Sequence, residues 1–484
     1  MVIMEGGANL FCWKPVTVPF HRKKTNDDSK ANLRGVRAYE LAKCAGYTKL
    51  EERRVLNATF AFDLLAAELT LENFVDSGVG DNSVELTQIG NDLVFDLNDG
   101  IWSANGPTSG LNFSLSNGDS TLTVLDGSTT LDSLRLDANS SDVFDVQIGQ
   151  FNFGTSSITI AGSSGTFGVI SELAPGNSEI AALSFDFSSN SIDLSQSSHQ
   201  IDIFSGSASG DIELNNAGDI ELGLLVSEQG SITVESAGDV TVANDPVNPT
   251  GISITDPSNL NNNSDSVTLT ASNGSIFVNS SVINSAGGSI LLTADSDITI
   301  QGELSTADGT IELSAGGNVT SLAPGTLLAD QLIVDIGGDL TLDGANQISN
   351  IAGNVNGGLT LFNDQDITIN STSSPVGQDG LTVQGDFQLQ VTGSVDQEAA
   401  LVVLGDSIVN ATGIVSLDEP NDFVGSVTAS GTSVEIVDIN DLLVLDIDAN
   451  DQIRLRAGLG TDSDITIQGE LSTCLLYTSP SPRD

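Results

Sequence analysis

The chain has 484 residues with 15 Lys and Arg against 65 Asp and Glu, a formal net charge of −50. Eleven of the basic residues fall in residues 1–54, whereas residues 55–473 hold Arg135, Arg454 and Arg456 against 58 acids. A body so poor in cations cannot neutralise a phosphate backbone, which excludes nucleic acid as a partner, and self-repulsion on this scale calls for ionic screening and suits a saline extracellular medium.

Apolar residues make up 39% of the chain, and in the body they recur in period-2 phrases, which argues for a folded chain and against disorder. Cys12, Cys44 and Cys474 lie outside the body, so neither a disulfide scaffold nor a cysteine-ligated metal is expected there. No apolar run approaches the roughly 18–20 residues of a membrane span.

Residues 1–56 read as a basic leader or targeting segment outside the fold. Near its end stands Lys49-Leu-Glu-Glu-Arg-Arg-Val-Leu. This resembles the Leu-Glu-x-Arg-x-(Val/Met)-Leu leader box of large exported surface proteins of planctomycete-type bacteria, matched by Leu50, Glu51, Arg53, Val55 and Leu56. The resemblance implies export, with a mature chain beginning near Asn57. A short amphipathic helix with Glu and Arg on its solvent face is the plainer alternative.

Residues 57–205 alternate apolar with polar between clusters of Asn, Gly, Asp and Ser, as in Leu93-Val-Phe-Asp-Leu and Leu111-Asn-Phe-Ser-Leu. Strands of this kind, with aromatic bulk at Phe151, Phe153, Phe185 and Phe187, predict an irregular β-rich cap. Such a cap closes the open end of a solenoid, where an exposed strand edge invites aggregation.

Residues 206–473 are repetitive. A turn residue followed by apolar-x-apolar returns as Gly210-Asp-Ile-Glu-Leu, Gly230-Ser-Ile-Thr-Val, Gly238-Asp-Val-Thr-Val, Gly309-Thr-Ile-Glu-Leu and Gly338-Asp-Leu-Thr-Leu. The unit recurs every 20 or 21 residues, and a fixed period of that size means a solenoid. One such strand cannot bury its apolar face alone, but stacking it on the same strand of the next turn buries that face and pairs the backbone groups. The expectation is an all-β parallel β-helix of about twenty coils, on the order of 100 Å long at the ~4.8 Å strand spacing. Pro- and Asn-rich stretches within 244–265 are expected to project as loops.

Asn421-Asp-Phe-Val-Gly-Ser-Val, taken with the Gly-(Ser/Asp)-Ile-x-Leu phrases, resembles the repeats of filamentous-haemagglutinin-type exoproteins and autotransporter passengers over about residues 205–473. That implies a secreted or cell-surface adhesin or scaffold whose ligands are extracellular polymers or proteins. The Asn-Pro-Asn-Gly and Asn-Pro-Asn-Leu boxes of two-partner secretion do not occur. The segment Asp-Ser-Asp-Ile-Thr-Ile-Gln-Gly-Glu-Leu-Ser-Thr stands at 295–306 and again, unchanged, at 462–473. Residues 474–484 break the composition, resemble a translated sequencing adapter and are set apart from the fold, with the natural chain expected to continue beyond Thr473.

β-Helices also carry polysaccharide lyases and glycoside hydrolases, so a carbohydrate-active enzyme is the alternative reading. No catalytic residue stands out. Asp211, Glu213, Asp219 and Glu221 read as a solvated face, and Arg135, Arg454, Arg456 and His199 as ordinary surface residues. No cofactor is expected. Calcium is a further alternative, because Asp446, Asp448, Asp451, Asp462 and Asp464 supply the oxygen ligands that hard cations take.

Overall fold

The computed structural model describes residues 56–75, 83–98, 100–106, 108–138, 143–163, 166–244, 250–255, 265–306, 308–371, 380–458 and 463–473. The adapter-like tail, Asp462 and all of the leader box but Leu56 lie outside these; Leu56 opens the first strand, Leu56–Asp63.

About two thirds of the chain is strand, wound into a parallel β-solenoid of about 15 turns with a less regular N-terminal region. The expected twenty coils are thus too many. Residues 57–205 and the two insertions use more chain per turn than the 20-residue unit, and about 15 turns at the ~4.8 Å spacing give a stack on the order of 70 Å.

Each regular coil contributes three strands to three walls. Ile232–Ser236, Val240–Val242 and Thr250–Ile254 are followed one turn on by Val267–Ala271, Ile276–Val278 and Ser281–Asn284. The same phrase stacks on itself. Ile212 pairs with Ile232, Ile232 with Val267, Val267 with Ile290, Ile290 with Ile311 and Ile311 with Leu332. All of these side chains are fully buried, each worth about 1.5–3 kcal/mol against exposure. Because side chains alternate across a strand, one residue between each buried pair faces solvent.

Insertions leave this register intact. Ser266 bonds to Ser231, 35 residues back, and Thr392 to Asp364, 28 residues back, whereas the regular link from Asp239 to Asp219 spans 20. The expected loop region 244–265 holds a wall strand, Thr250–Ile254, paired with both neighbouring coils; residues 245–249 and 256–264, on which the expectation of loops falls, lie outside the described residues.

At the N-terminal side the pairing changes. Antiparallel partners join Leu56–Asp63 to Glu68–Val75, Ser83–Ile89 to Asp92–Leu97, and Thr121–Val124 to both Asp92–Leu97 and Phe113–Ser116. Parallel stacking is already present there, since Leu69, Leu134, Ile158 and Phe185 are register partners in sequence. Aromatic rings fill the wider core: Phe74 meets Trp102 at 6.1 Å and Phe167 at 5.8 Å, edge to face. Trp102 Nε1 donates to Phe95 O at 3.1 Å, so its polar end is satisfied while the ring is buried.

Candidate functional site

The turn phrase Gly-Asp or Gly-Ser positions a polar side chain at the same corner of successive coils, and each accepts the amide of its counterpart one coil on. Asp219 Oδ1 accepts from Asp239 N at 2.9 Å, Asp239 Oδ1 from Ser275 N at 2.8 Å, and Ser275 Oγ from Asp297 N at 3.4 Å. Asp297 Oδ1 then accepts from Asn318 N, Asn318 Oδ1 from Asp339 N and Asp339 Oδ1 from Gly358 N. Gly358 has no side chain and interrupts the series, which resumes from Asp386 through Asp406 to Ser426. Both the Ser426 hydroxyl and its amide donate to Asp406 and hold its carboxyl below the usual range. The acids read from sequence as a solvated face are exposed or half-buried, but Asp211 and Asp219 also join coil to coil.

A second polar series runs inside. Asn216, Asn346, Asn363 and Asn421 are at most 1% exposed. Their Oδ1 atoms accept the backbone amides of Ile201, Leu327, Ile348 and Leu401 at 2.7–2.9 Å. Their amide groups donate to backbone carbonyls at the bend, as Asn346 does to Leu342, Gly344 and Phe362. Ionisable residues take this position in two of the coils, where His199 pairs in register with Asn216 and Asp438 with Asn421, while Ser236 and Val391 are the register partners of Asn216 and Asn363 on their other sides.

His199 is fully buried, which corrects its reading as a surface residue. It shares the inward phase of Ser197 and Ile201. Its Nδ1 accepts the Ile180 amide at 3.1 Å, and its Nε2 faces Glu172 Oε1 at 3.3 Å outside hydrogen-bonding geometry. Glu172 accepts from Ser197 N at 2.7 Å and Ser197 Oγ at 2.6 Å, and Ser197 Oγ accepts the Ser178 amide at 3.0 Å. The Ser197 hydroxyl points at the carboxylate and not at the imidazole, so the three residues do not form a nucleophile and base.

The arginines remain at the surface. Arg135 pairs with Asp137 at 3.6 Å and Arg454 with Glu435 at 3.0 Å, and exposed Arg456 lies two residues along from Arg454. Asp446, Asp448, Asp451 and Asp464 are all exposed. Asp446 Oδ1 accepts the Glu470 amide, and the Asp464 amide donates to Asp441. Among the described residues no group of three or more His, Cys, Asp and Glu is arranged to hold a metal ion.

A shallow open groove of about 410 Å³ crosses successive coils at one corner. Its polar lining includes Ser305, Asp308, Asp330, Gln347, Ser349 and Gln365. Hydroxyls, amides and two carboxylates without a cation suit an uncharged, hydroxyl-rich ligand better than an anion.

No helix of the described residues is long and apolar enough to cross a membrane. Neither a curated protein nor a solved structure matches the chain. Residues 364–430, about three coils, match the model of a family described as repeats of unknown function (DUF5649), and with the wound structure around them they mark a repeat β-solenoid protein.

Proposed function

We propose that the chain is part of an exported scaffold or adhesin of the filamentous-haemagglutinin or autotransporter-passenger type, placed at the cell surface or in the medium. The observation that carries this reading is how its polar side chains are used. The turn Asp, Ser and Asn residues and the buried Asn series are engaged in joining one coil to the next over most of the solenoid. Such a body is a stiff spacer. Specificity then rests on outward faces and on the insertions within 244–265 and 372–379. The acidic, base-poor surface suits saline surroundings and neutral or cationic extracellular polymers and proteins as partners.

The test is saturable binding of the purified chain to a panel of immobilised extracellular polysaccharides and proteins, repeated after residues 256–264 are replaced by a Gly/Ser linker of equal length. Binding that the replacement removes is expected. Binding to none of the panel, or turnover of a polymer, would count against an adhesive scaffold.

The groove favours one other reading, a carbohydrate-active β-helix enzyme, because Asp308 and Asp330 line it together and glycoside hydrolysis uses paired carboxyls. Release of reducing ends from a neutral glycan, lost in both Asp308→Asn and Asp330→Asn, would establish it.

A further inference from the structure

We propose that the buried node of His199, Glu172 and Ser197 is an acid-sensitive latch that pins the turn 173–179 to the solenoid and releases it when His199 takes up a second proton.

The latch stands on which atoms the imidazole uses. Nδ1 accepts the Ile180 amide at 3.1 Å, so it carries no proton, and the neutral ring holds its hydrogen on Nε2, toward Glu172. A proton on Nδ1 removes that acceptor and sets two N–H groups against each other in a fully buried position. Asn216 performs the same bond for Ile201 one coil on, and an amide oxygen does not titrate near neutrality. His199 thus puts an ionisable ring where Asn216, Asn346, Asn363 and Asn421 do the same work without ionising.

The turn depends on this node at several points. Ser178 N donates to Ser197 Oγ, Gly176 N to Glu172 Oε2 at 3.3 Å, and the Ser178 hydroxyl bonds across the turn to Ala174 O at 3.1 Å. The charged groups facing the ring are Glu172, at the end of Phe167–Glu172, and Glu179, just before Ile180–Ala208. The register partner in the next coil, Asn216, is uncharged. Both carboxylates favour the imidazolium, yet burial outweighs them and holds His199 below its ordinary value of 6.5. Stability from a lowered base is fully present above the unfolded value of 6.5 and is lost as pH falls from there through the folded value. The release therefore lies on the acid side of 6.5.

The chain has two histidines, His21 and His199, which makes the test direct. Full-length protein labelled at histidine is titrated by NMR, with His199→Asn assigning the signals, while hydrogen exchange is followed in peptides spanning 173–180 and 195–200. After correction for intrinsic exchange, protection of the Ser178, Ile180 and Ser197 amides should fall severalfold as the pH is lowered from 7.5 to 5, together with the His199 signal. In His199→Asn it should stay constant across that range. An equal loss in the variant, or unchanged protection while His199 protonates, would overturn the latch. Should the variant fail to fold, the wild-type chain still decides: protection that does not follow the His199 titration sinks the proposal.

Discussion

His199 and Asn216 are register partners one coil apart, and each accepts a backbone amide from the preceding turn, that of Ile180 at 3.1 Å and that of Ile201 at 2.9 Å. The pair marks an inner corner position at which, in these coils, a polar side chain satisfies a backbone amide that bends away from the ladder. A buried amide without a partner costs about 1–3 kcal/mol, and here the side chain supplies the acceptor.

Asn421 is the most heavily used residue at this position. It accepts from Leu401 N at 2.7 Å, exchanges two bonds with Gln397, and donates to Leu417 O and Val437 O. Asn421→Ala leaves these groups unpaired around a small void, and a loss on the order of 3 kcal/mol is expected. The effect should appear as earlier urea unfolding and faster hydrogen exchange of the Leu401 amide.

Asp438 occupies the same position with a carboxyl that is fully buried and whose Oδ2 has no hydrogen-bond partner. Burial raises it above the ordinary range, opposed by the amides of Asn440, Phe423 and Ile439. Stability from a raised acid is fully present below the unfolded value, 3.8, and is lost as pH rises through the folded one. Asp438→Asn restores the residue used at Asn363 and Asn421. It should stabilise the chain at pH 7 by about 1–2 kcal/mol, with the gain shrinking to nothing near pH 3.5. Melting temperatures measured from pH 3.5 to 7.5 would check both the sign and the trend.

The sequence carries most of the fold because the inward phase of each strand is written in period 2. Ile212, Leu214 and Asn216 share one phase, as do Leu359, Leu361 and Asn363, so the buried asparagines were within reach of the same reading. Asn is also a turn former and a turn follows directly, so the sequence alone does not separate the two roles. The phase of Ser197, His199 and Ile201 likewise pointed inward, but a lone histidine among polar neighbours has the look of surface. Glu172 meets Ser197, 25 residues on, only because the coil returns to that height, and no local spacing encodes such a contact. The Asp series was legible as a repeated turn letter, while its use as an acceptor for the next coil depends on how the turns stack.

Gly353 marks a place where the stack admits no side chain. Its φ is +131°, and an added Cβ would stand 1.9 Å from Val334 O, the backbone of its register partner. Neither the conformation nor the contact suits an L residue. Gly353→Ala should cost more than about 2 kcal/mol and lower the urea midpoint, with the largest rise in hydrogen exchange in the coils on either side of 353.

The repeated segment provides a matched pair of core positions with the local sequence held constant. Ile298 lies between Ile276 and Val319 in register and is fully buried. Its copy, Ile465, rests on Leu442 and is 40% exposed, with no further strand paired beyond it among the described residues. Local propensity is identical, so any difference between Ile298→Ala and Ile465→Ala measures what the covering coil contributes. Ile298→Ala removes a packed side chain and leaves a cavity, for about 2–4 kcal/mol, whereas Ile465→Ala should cost under about 1 kcal/mol. Urea unfolding of the two variants, read with hydrogen exchange at 298–300 and 465–467, tests this, and equal losses would mean that the end coil is covered in solution.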